Sequence, residues 1–220
     1  MERVEDLNLN GLKIYQDDGL YHFTSDAVLL SKFARVKKGD NVADFCSGSG
    51  IVGLHLYGLN PIIQHVTLFE MQKELYDLSV KSIELNCLNE KFSAVNTRLQ
   101  DIGTEYNERF SLIVCNPPYM PINSGDGAEK ECIAVCKKEL TLSLEDLVKA
   151  SAKCLKFGGR LCMVHRADRL AEIMFEMKKK NLEPKRMQLV SGGNKEPYLV
   201  LIEAVKGGKS GIKVYNTIIN

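Results

Sequence analysis

Apolar runs alternate with amphipathic stretches along most of this chain. Short apolar runs predict strands, and they lie at residues 41–45, 65–69, 92–96, 110–115, 160–165, 185–190 and 198–205. Apolar residues at helical spacing predict helices at residues 50–59, 71–88, 144–155 and 168–180. A capping signature followed by an apolar run predicts one more helix within residues 22–30.

Strands that alternate with helices predict a parallel, doubly wound sheet. The last two strands are separated by about seven residues, 191–197, which suits a hairpin. We therefore expect an α/β, Rossmann-like fold: a seven-stranded, mostly parallel sheet with an antiparallel last strand at one end and helices on both faces. Gly158-Gly159 should cap one helix, Asp168 should begin the next, and the segment 207–210 should form a hairpin turn.

The 220 residues suit a single domain. We expect an N-terminal cap at residues 1–38, a catalytic core at 39–205 and a C-terminal tail at 206–220. No stretch approaches the roughly 18 apolar residues of a membrane helix, and the acidic N-terminus does not resemble a signal peptide. The seven cysteines are distributed like reduced thiols, without the partners of a zinc site, so we predict a cytoplasmic protein with no metal and no membrane contact.

A glycine-rich loop follows the strand at residues 41–45. Gly48 and Gly50 permit a sharp turn and a close approach to a ligand. Such sheets bind ligands at the carboxyl ends of their strands. Asp44 at the start of the loop would repel a pyrophosphate but suits the amino group of a methionine moiety. A plain glycine-rich turn is the alternative interpretation.

Two further acids lie at the end of the next predicted strand and after the one that follows it. Glu70 lies about twenty residues beyond the glycines, where a carboxylate can accept hydrogen bonds from both ribose hydroxyls. Asp101 can accept from an adenine amino group, and the Ile102 backbone can meet the edge of that ring. An ordinary turn or N-cap aspartate is the alternative for Asp101.

The segment Asn116-Pro117-Pro118-Tyr119 directly follows the apolar strand at residues 110–115. Two prolines fix the backbone and leave only acceptors, namely the Asn116 side-chain carbonyl and the Pro117 backbone carbonyl. A planar NH2 group has two donors to match, and Tyr119 can stack on the base that carries it. This motif predicts methyl transfer to an exocyclic or amide nitrogen, with positioning as the main source of catalysis.

These residues resemble those of class I adenine-N6 and glutamine-N5 methyltransferases, and most closely the bacterial tRNA(Val) adenine-N6 methyltransferase family. The resemblance covers nearly the whole chain. It implies S-adenosylmethionine as the cofactor and tRNA as the nucleic-acid partner. The cofactor-binding residues it implies are Phe23, Thr24, Asp26, Asp44, Cys46, Gly48, Ser49, Gly50, Glu70, Met71, Asp101, Ile102 and Asn116.

The sequence departs from this family in two places. The loop reads Phe45-Cys46-Ser47 where the family more often has leucine, glycine and a small residue. The segment Cys136-Lys137-Lys138-Glu139 replaces an alanine-arginine pair before the glutamate, and lysine lacks the forked geometry of arginine.

The motif leaves the acceptor open among adenine N6, guanine N2 in rRNA and glutamine N5 in a protein. A non-catalytic RNA-binding module that keeps the fold is a further alternative. The net charge of +1 favours no partner, but the lysine clusters at 37–38, 178–180 and 206–213 together would suit an RNA backbone. The oligomeric state is left open.

Overall fold

The computed structural model describes residues 1–20, 25–118, 142–193 and 195–220. Ten strands are described: β1 Glu2–Asp6, β2 Lys13–Asp17, β3 Asn41–Phe45, β4 His65–Glu70, β5 Phe92–Asn96, β6 Phe110–Cys115, β7 Leu155–Arg166, β8 Leu182–Ser191, β9 Pro197–Lys206 and β10 Lys213–Ile219. The described α-helices are α1 Ser25–Phe33, α2 Ile51–Leu59, α3 Lys73–Leu85, α4 Leu144–Cys154 and α5 Leu170–Lys179.

Eight strands form the central sheet in the order β10-β8-β9-β7-β6-β3-β4-β5. Seven of them run parallel, and β9 is antiparallel to both neighbours, β7 and β8. The predicted α/β class, the mostly parallel sheet and the antiparallel strand are therefore confirmed.

Two details of the predicted sheet are wrong. The sheet has eight strands because residues 213–219, predicted as part of a tail, pair with β8 as the parallel strand β10. The antiparallel strand β9 lies inside the sheet, since β10 and β8 both lie beyond it. The segment 207–210 is therefore no hairpin turn, because it leads from β9 across to the far side of β8.

Two predicted helix ends also differ. The helix α4 ends at Cys154, and Gly158 lies within β7, where its φ of 75° accompanies a shift in the pairing with β6. Asp168 belongs to a short 3-10 turn before α5, and its carboxylate accepts a hydrogen bond from Arg166 Nε at 3.1 Å rather than capping the helix.

Helices cover both faces of the sheet, as the sequence predicts. Alternate residues of each central strand point to opposite faces. In β6, Ile113 packs in the cluster that includes α4 and α5, whereas Leu112 packs in the cluster that includes α1 and α2. Within the described ranges, no helix is long and apolar enough to cross a membrane.

The N-terminal hairpin of β1 and β2 packs against α3. The backbone N–H of Tyr15 donates to Ser82 Oγ at 2.9 Å, and that of Lys13 donates to Asn86 Oδ1 at 2.9 Å. The Lys81 ammonium pairs with Glu2 at 2.6 Å. These contacts join the hairpin to the outer layer of the core, while the domain limits at residues 38 and 205 stay a prediction.

A buried ion pair between β8 and β9 also contacts the end of α1. Arg186 on β8 contacts Glu203 on β9 at 2.5 Å, and both side chains are less than a tenth exposed. The guanidinium also lies 4.5 Å from the ring centroid of Phe33, at the end of α1. Charge pairing and cation–π contact together compensate the burial of this arginine.

Candidate functional site

The carboxyl edge of the sheet gathers most of the residues that the sequence singles out. Asp44 is the fourth residue of the five-residue β3, and Glu70 is the last of β4. Asp101 lies in the short 3-10 turn that follows β5, and Asn116 is the first residue after β6. Because parallel strands end at one edge, these four polar groups face the same region of the molecule.

The glycine-rich loop makes a tight turn from β3 into α2. The φ angles of Cys46, Gly48 and Gly50 are 58°, 56° and 92°, which all lie in the left-handed region. At Gly50 a Cβ atom would stand 2.9 Å from Leu68 Cδ1, so the core excludes a side chain there. At Gly48 a Cβ atom would meet nothing within 4 Å, so this part of the loop is open to a ligand.

Asp44 is completely buried at the start of this loop. Its Oδ2 accepts a hydrogen bond from the Gly53 N–H at 2.8 Å, while its Oδ1 has no partner among the described residues. Burial raises the pKa of the Asp44 carboxyl to about 8, and the Gly53 hydrogen bond only partly opposes that rise. An unpartnered buried carboxyl oxygen is costly, so the site favours a ligand that donates to it.

Glu70 connects the end of β4 to the glycine loop. Its Oε2 accepts from the Gly48 N–H at 2.8 Å, and its Oε1 accepts from the Gln72 N–H at 2.9 Å. Burial raises the pKa of Glu70, and these N–H groups oppose that effect. Each carboxylate oxygen retains a second lone pair, so Glu70 can hold the loop and still accept hydrogen bonds from ligand hydroxyls.

Asn96 also contributes to the candidate site, although the sequence analysis does not identify it. This last residue of β5 donates from its side-chain amide to the carbonyl of Glu70 at 2.8 Å and to that of Met71 at 3.1 Å. It thereby fixes the turn on which the Glu70 carboxylate depends. An amide-bearing residue at the carboxyl end of a strand next to an acid-ended strand is the signal that would have indicated it.

Asp101 and Ile102 lie beyond Asn96 on the same side of the loop. Asp101 is exposed, and Ile102 is buried. The Ile102 carbonyl accepts from Lys153 Nζ at 3.0 Å. The predicted contact between the Ile102 backbone and a ring edge stays a prediction.

The Asn116 side chain presents a hydrogen-bond acceptor towards the carboxyl edge of the sheet. Its side-chain Oδ1 is buried and lacks a hydrogen bond among the described residues, although Asn116 itself is only half-buried. Pro117 is buried and Pro118 half-buried. An amide oxygen held this way at the carboxyl edge is ready to accept from an NH2 group, as the motif predicts.

The Cys115 thiol lies near Cys46, Asp44 and Glu70, and the sequence analysis does not identify it. It is completely buried, and desolvation raises its pKa well above its usual range, with contributions from Cys46, Asp44 and Glu70. It therefore stays a neutral thiol. The region around it is rich in acceptors, which suits a ligand that carries positive charge and several hydrogen-bond donors.

The start of α1 approaches the same edge. Asp26 is buried in the first turn, and Ser49 is buried in the glycine loop. The Ser25 hydroxyl accepts from Asn220 Nδ2 at 3.1 Å. Phe23, Thr24 and Tyr119, together with the Cys132–Cys136 pair and the segment 136–139, lie outside the described residues.

Comparisons with known proteins identify the family of this chain. The profile of the family described as "Methyltransferase small domain" matches residues 22–184. A tRNA1(Val) (adenine(37)-N6)-methyltransferase of a Flavobacteriaceae bacterium (strain 3519-10) is 26% identical over 151 residues, which are 69% of this chain. The match spans 62% of that relative, or less than two thirds of its length.

Solved structures show the same fold. A predicted O-methyltransferase from Agrobacterium tumefaciens superposes with a TM-score of 0.70 at 19% identity, covering 88% of this chain and 86% of that one. The TYW2 protein of M. jannaschii, solved in complex with AdoMet, superposes with a TM-score of 0.64 at 12% identity, covering 93% and 85%. At these identities the likeness concerns the fold alone.

Proposed function

Because the chain belongs to the methyltransferase small domain family, with S-adenosylmethionine as its cofactor, we propose that it methylates the N6 nitrogen of an adenine in tRNA. The observation that carries this proposal is the buried Oδ1 of Asn116, at the end of β6, which has no hydrogen-bond partner among the described residues. It is a preformed acceptor for one hydrogen of an NH2 group.

The residues at the carboxyl edge fit the cofactor. Asp44 Oδ1 has no donor among the described residues, and the amino group of the methionine moiety would supply one. Gly48 leaves open space at the loop, and Glu70 retains lone pairs for the ribose hydroxyls. The acceptor-rich region around Cys115 suits a sulfonium cation. When bound, S-adenosylmethionine supplies an electrophilic methyl group.

Asn116 and Pro117 orient the nitrogen that receives this methyl group. Their two carbonyl oxygens accept the two hydrogens of the NH2 group, which directs the nitrogen lone pair away from them. Holding the hydrogens also draws the nitrogen out of conjugation with the ring and makes it more nucleophilic. The nitrogen loses its proton after the methyl group arrives, so no strong base is needed and positioning provides most of the rate.

The name of the relatives supports tRNA adenine as the acceptor, since several are tRNA1(Val) (adenine(37)-N6)-methyltransferases at 20–27% identity. Guanine at N2 and glutamine at N5 also carry an NH2 group, which can donate to Asn116 in the same way. The reaction product therefore has to be identified directly.

The test is mass spectrometry of nucleosides from tRNA incubated with the purified protein and isotopically labelled S-adenosylmethionine. We expect labelled N6-methyladenosine. Labelled N2-methylguanosine, or label on protein glutamine in a parallel extract, would replace the adenine assignment. Absence of label from tRNA, rRNA and protein alike would favour the non-catalytic alternative.

A further inference from the structure

A group of basic side chains lies at the amino edge of the sheet, opposite the methyl-transfer motif. Lys37 and Lys38 precede β3, Lys156 and Phe157 lie near the start of β7, and Lys209 follows β9. We call these five residues the amino-edge patch. Lys37, Lys156 and Phe157 line one shallow groove, and Lys209 is joined to β8 because its carbonyl accepts from Lys185 Nζ at 2.9 Å.

Two acidic side chains near the patch, Asp40 and Glu108, form ion pairs with other basic side chains. Asp40 is buried, and its carboxylate contacts Arg160 at 2.6 Å and accepts from the Lys37 N–H at 2.7 Å. Glu108 pairs with Lys206 at 3.2 Å.

The four lysines of the patch keep their positive charge uncompensated. Across the described ranges, none of them makes an ion pair, and all are exposed. Since the whole chain has a net charge of only +1, the excess of positive charge is local. A compact cationic surface of this kind is complementary to a phosphate backbone.

An exposed aromatic ring lies among these lysines. Phe157 is 79% exposed. Its ring covers Gly207, where a Cβ atom would stand only 2.1 Å from Phe157 Cε2, so glycine at 207 leaves room for the ring. A positioned aromatic face among lysines suits stacking on an unpaired base in addition to phosphate contacts.

We propose that the amino-edge patch binds the RNA substrate at a point remote from the methylated base, with its lysines on phosphates and Phe157 against an unpaired base. The six residues of β6 separate the two edges of the sheet by roughly 20 Å, at about 3.3 Å per residue. The path over the surface is longer than this straight line, so an RNA of only a few nucleotides held at Asn116 does not reach the patch, whereas a whole tRNA does. This inference rests on the proposed function and adds a size requirement for the substrate.

The test measures the affinity for a fluorescently labelled, full-length tRNA transcript by anisotropy at several salt concentrations. The variants are Lys37→Ala/Lys156→Ala/Lys209→Ala and, separately, Phe157→Ala. The matched control is Lys13→Ala/Lys73→Ala/Lys81→Ala, which removes three exposed lysines of β2 and α3, two of which pair with Asp77 and Glu2.

We expect the patch triple variant to weaken tRNA binding at least tenfold. A plot of the logarithm of the binding constant against the logarithm of the salt concentration should become less steep by about two to three, since each phosphate contact contributes roughly 0.7–0.9 to its slope. Phe157→Ala should weaken binding about five- to tenfold with no change in slope. The control triple should stay within about twofold of the wild type, and the KM for S-adenosylmethionine and the affinity for a five-nucleotide RNA should be unchanged in all variants.

Three outcomes would overturn the inference. They are an unchanged slope in the patch variant, an equal loss in the control triple, and equally patch-dependent binding of heparin, which would indicate a general anion surface. Methylation of tRNA by the wild type is measured in parallel. If the wild type methylates tRNA but the patch variant binds it normally, the inference alone fails; if the wild type binds tRNA through the patch without methylating it, the proposed function alone fails.

Discussion

Asp44 Oδ2 accepts a hydrogen bond of 2.8 Å from the backbone N–H of Gly53, nine residues further along the chain. This contact joins the end of β3 to the first turn of α2, across the glycine loop. It satisfies one oxygen of a carboxyl group that is wholly buried, and leaves the other without a partner among the described residues. Two predictions concern this pair.

The stability of the cofactor-free protein should decrease between about pH 4 and pH 8. The Asp44 pKa is about 8 in the folded protein and 3.8 in a model peptide. Between these values the folded state holds a proton that the unfolded state has released, so a rise in pH favours unfolding. Burial raises the pKa of Glu70 in the same direction. Thermal denaturation across pH 4–9 should show a clearly flatter decrease for Asp44→Asn than for the wild type, and identical profiles would contradict the buried, raised pKa of Asp44.

Gly53→Ala should destabilise the protein by about 1–3 kcal/mol, as overpacked cores do. A Cβ atom at Gly53 would stand 2.7 Å from Leu68 Cδ2 and 3.3 Å from Asp44 Oδ2. This cost should override the gain of roughly 1 kcal/mol that alanine normally has over glycine in a helix. Gly192→Ala is the matched control, because a Cβ atom there meets nothing within 4 Å. Urea denaturation of both variants measures the free energy of unfolding. A Gly53→Ala protein as stable as the wild type would show that the Leu68 side chain moves aside and that the prediction is wrong.

Asn116→Ala should lower kcat at least a hundredfold while the dissociation constant for S-adenosylmethionine changes less than about threefold. The substitution removes the buried Oδ1 acceptor, which acts on the nitrogen nucleophile. Isothermal titration with the cofactor and single-turnover methylation measure the two effects separately. Asn107→Ala, at an exposed position before β6, is the control and should keep full activity. Native-rate methylation by Asn116→Ala would exclude the proposed orientation of the NH2 group.

Asn220→Ala should raise the KM for S-adenosylmethionine about two- to tenfold and leave kcat nearly unchanged. The Asn220 amide donates to Ser25 at 3.1 Å and to the Tyr198 hydroxyl at 3.0 Å, so it holds the first turn of α1 in place. Loss of a hydrogen bond of this kind costs about 0.5–1.5 kcal/mol. Asn216→Ala, on the preceding strand β10, removes an exposed side chain and serves as the control. A rise in KM that is equal in both variants would assign the effect to β10 in general rather than to the contact with α1.

Much of the fold follows from the sequence because buried parallel strands are continuous apolar runs. The bounds of β3, β5 and β6 agree with the prediction residue for residue. The strand β10 was missed because its residues are mostly exposed, and only pairing with β8 makes them a strand. The strand β1 is equally hard to recognise, since four of its five residues are charged.

The candidate site, like the fold, is only partly predictable from the sequence. Chemical type and position at strand ends are visible in the sequence, so Asp44, Glu70 and Asn116 were predicted at one edge. Their partners depend on register between strands distant in sequence. The pairing of Phe45 with Cys115 brings the Cys115 thiol near the glycine loop, and no local pattern signals that proximity.

The position of Asn220 has a practical consequence for work with this protein. Because Asn220 contacts Ser25, an affinity tag or fluorescent protein fused directly after Asn220 would disturb a contact that positions the first turn of α1. Met1 is 90% exposed and belongs to the hairpin that packs on α3. Fusions for binding assays, surface immobilisation and crystallisation are therefore better attached at Met1.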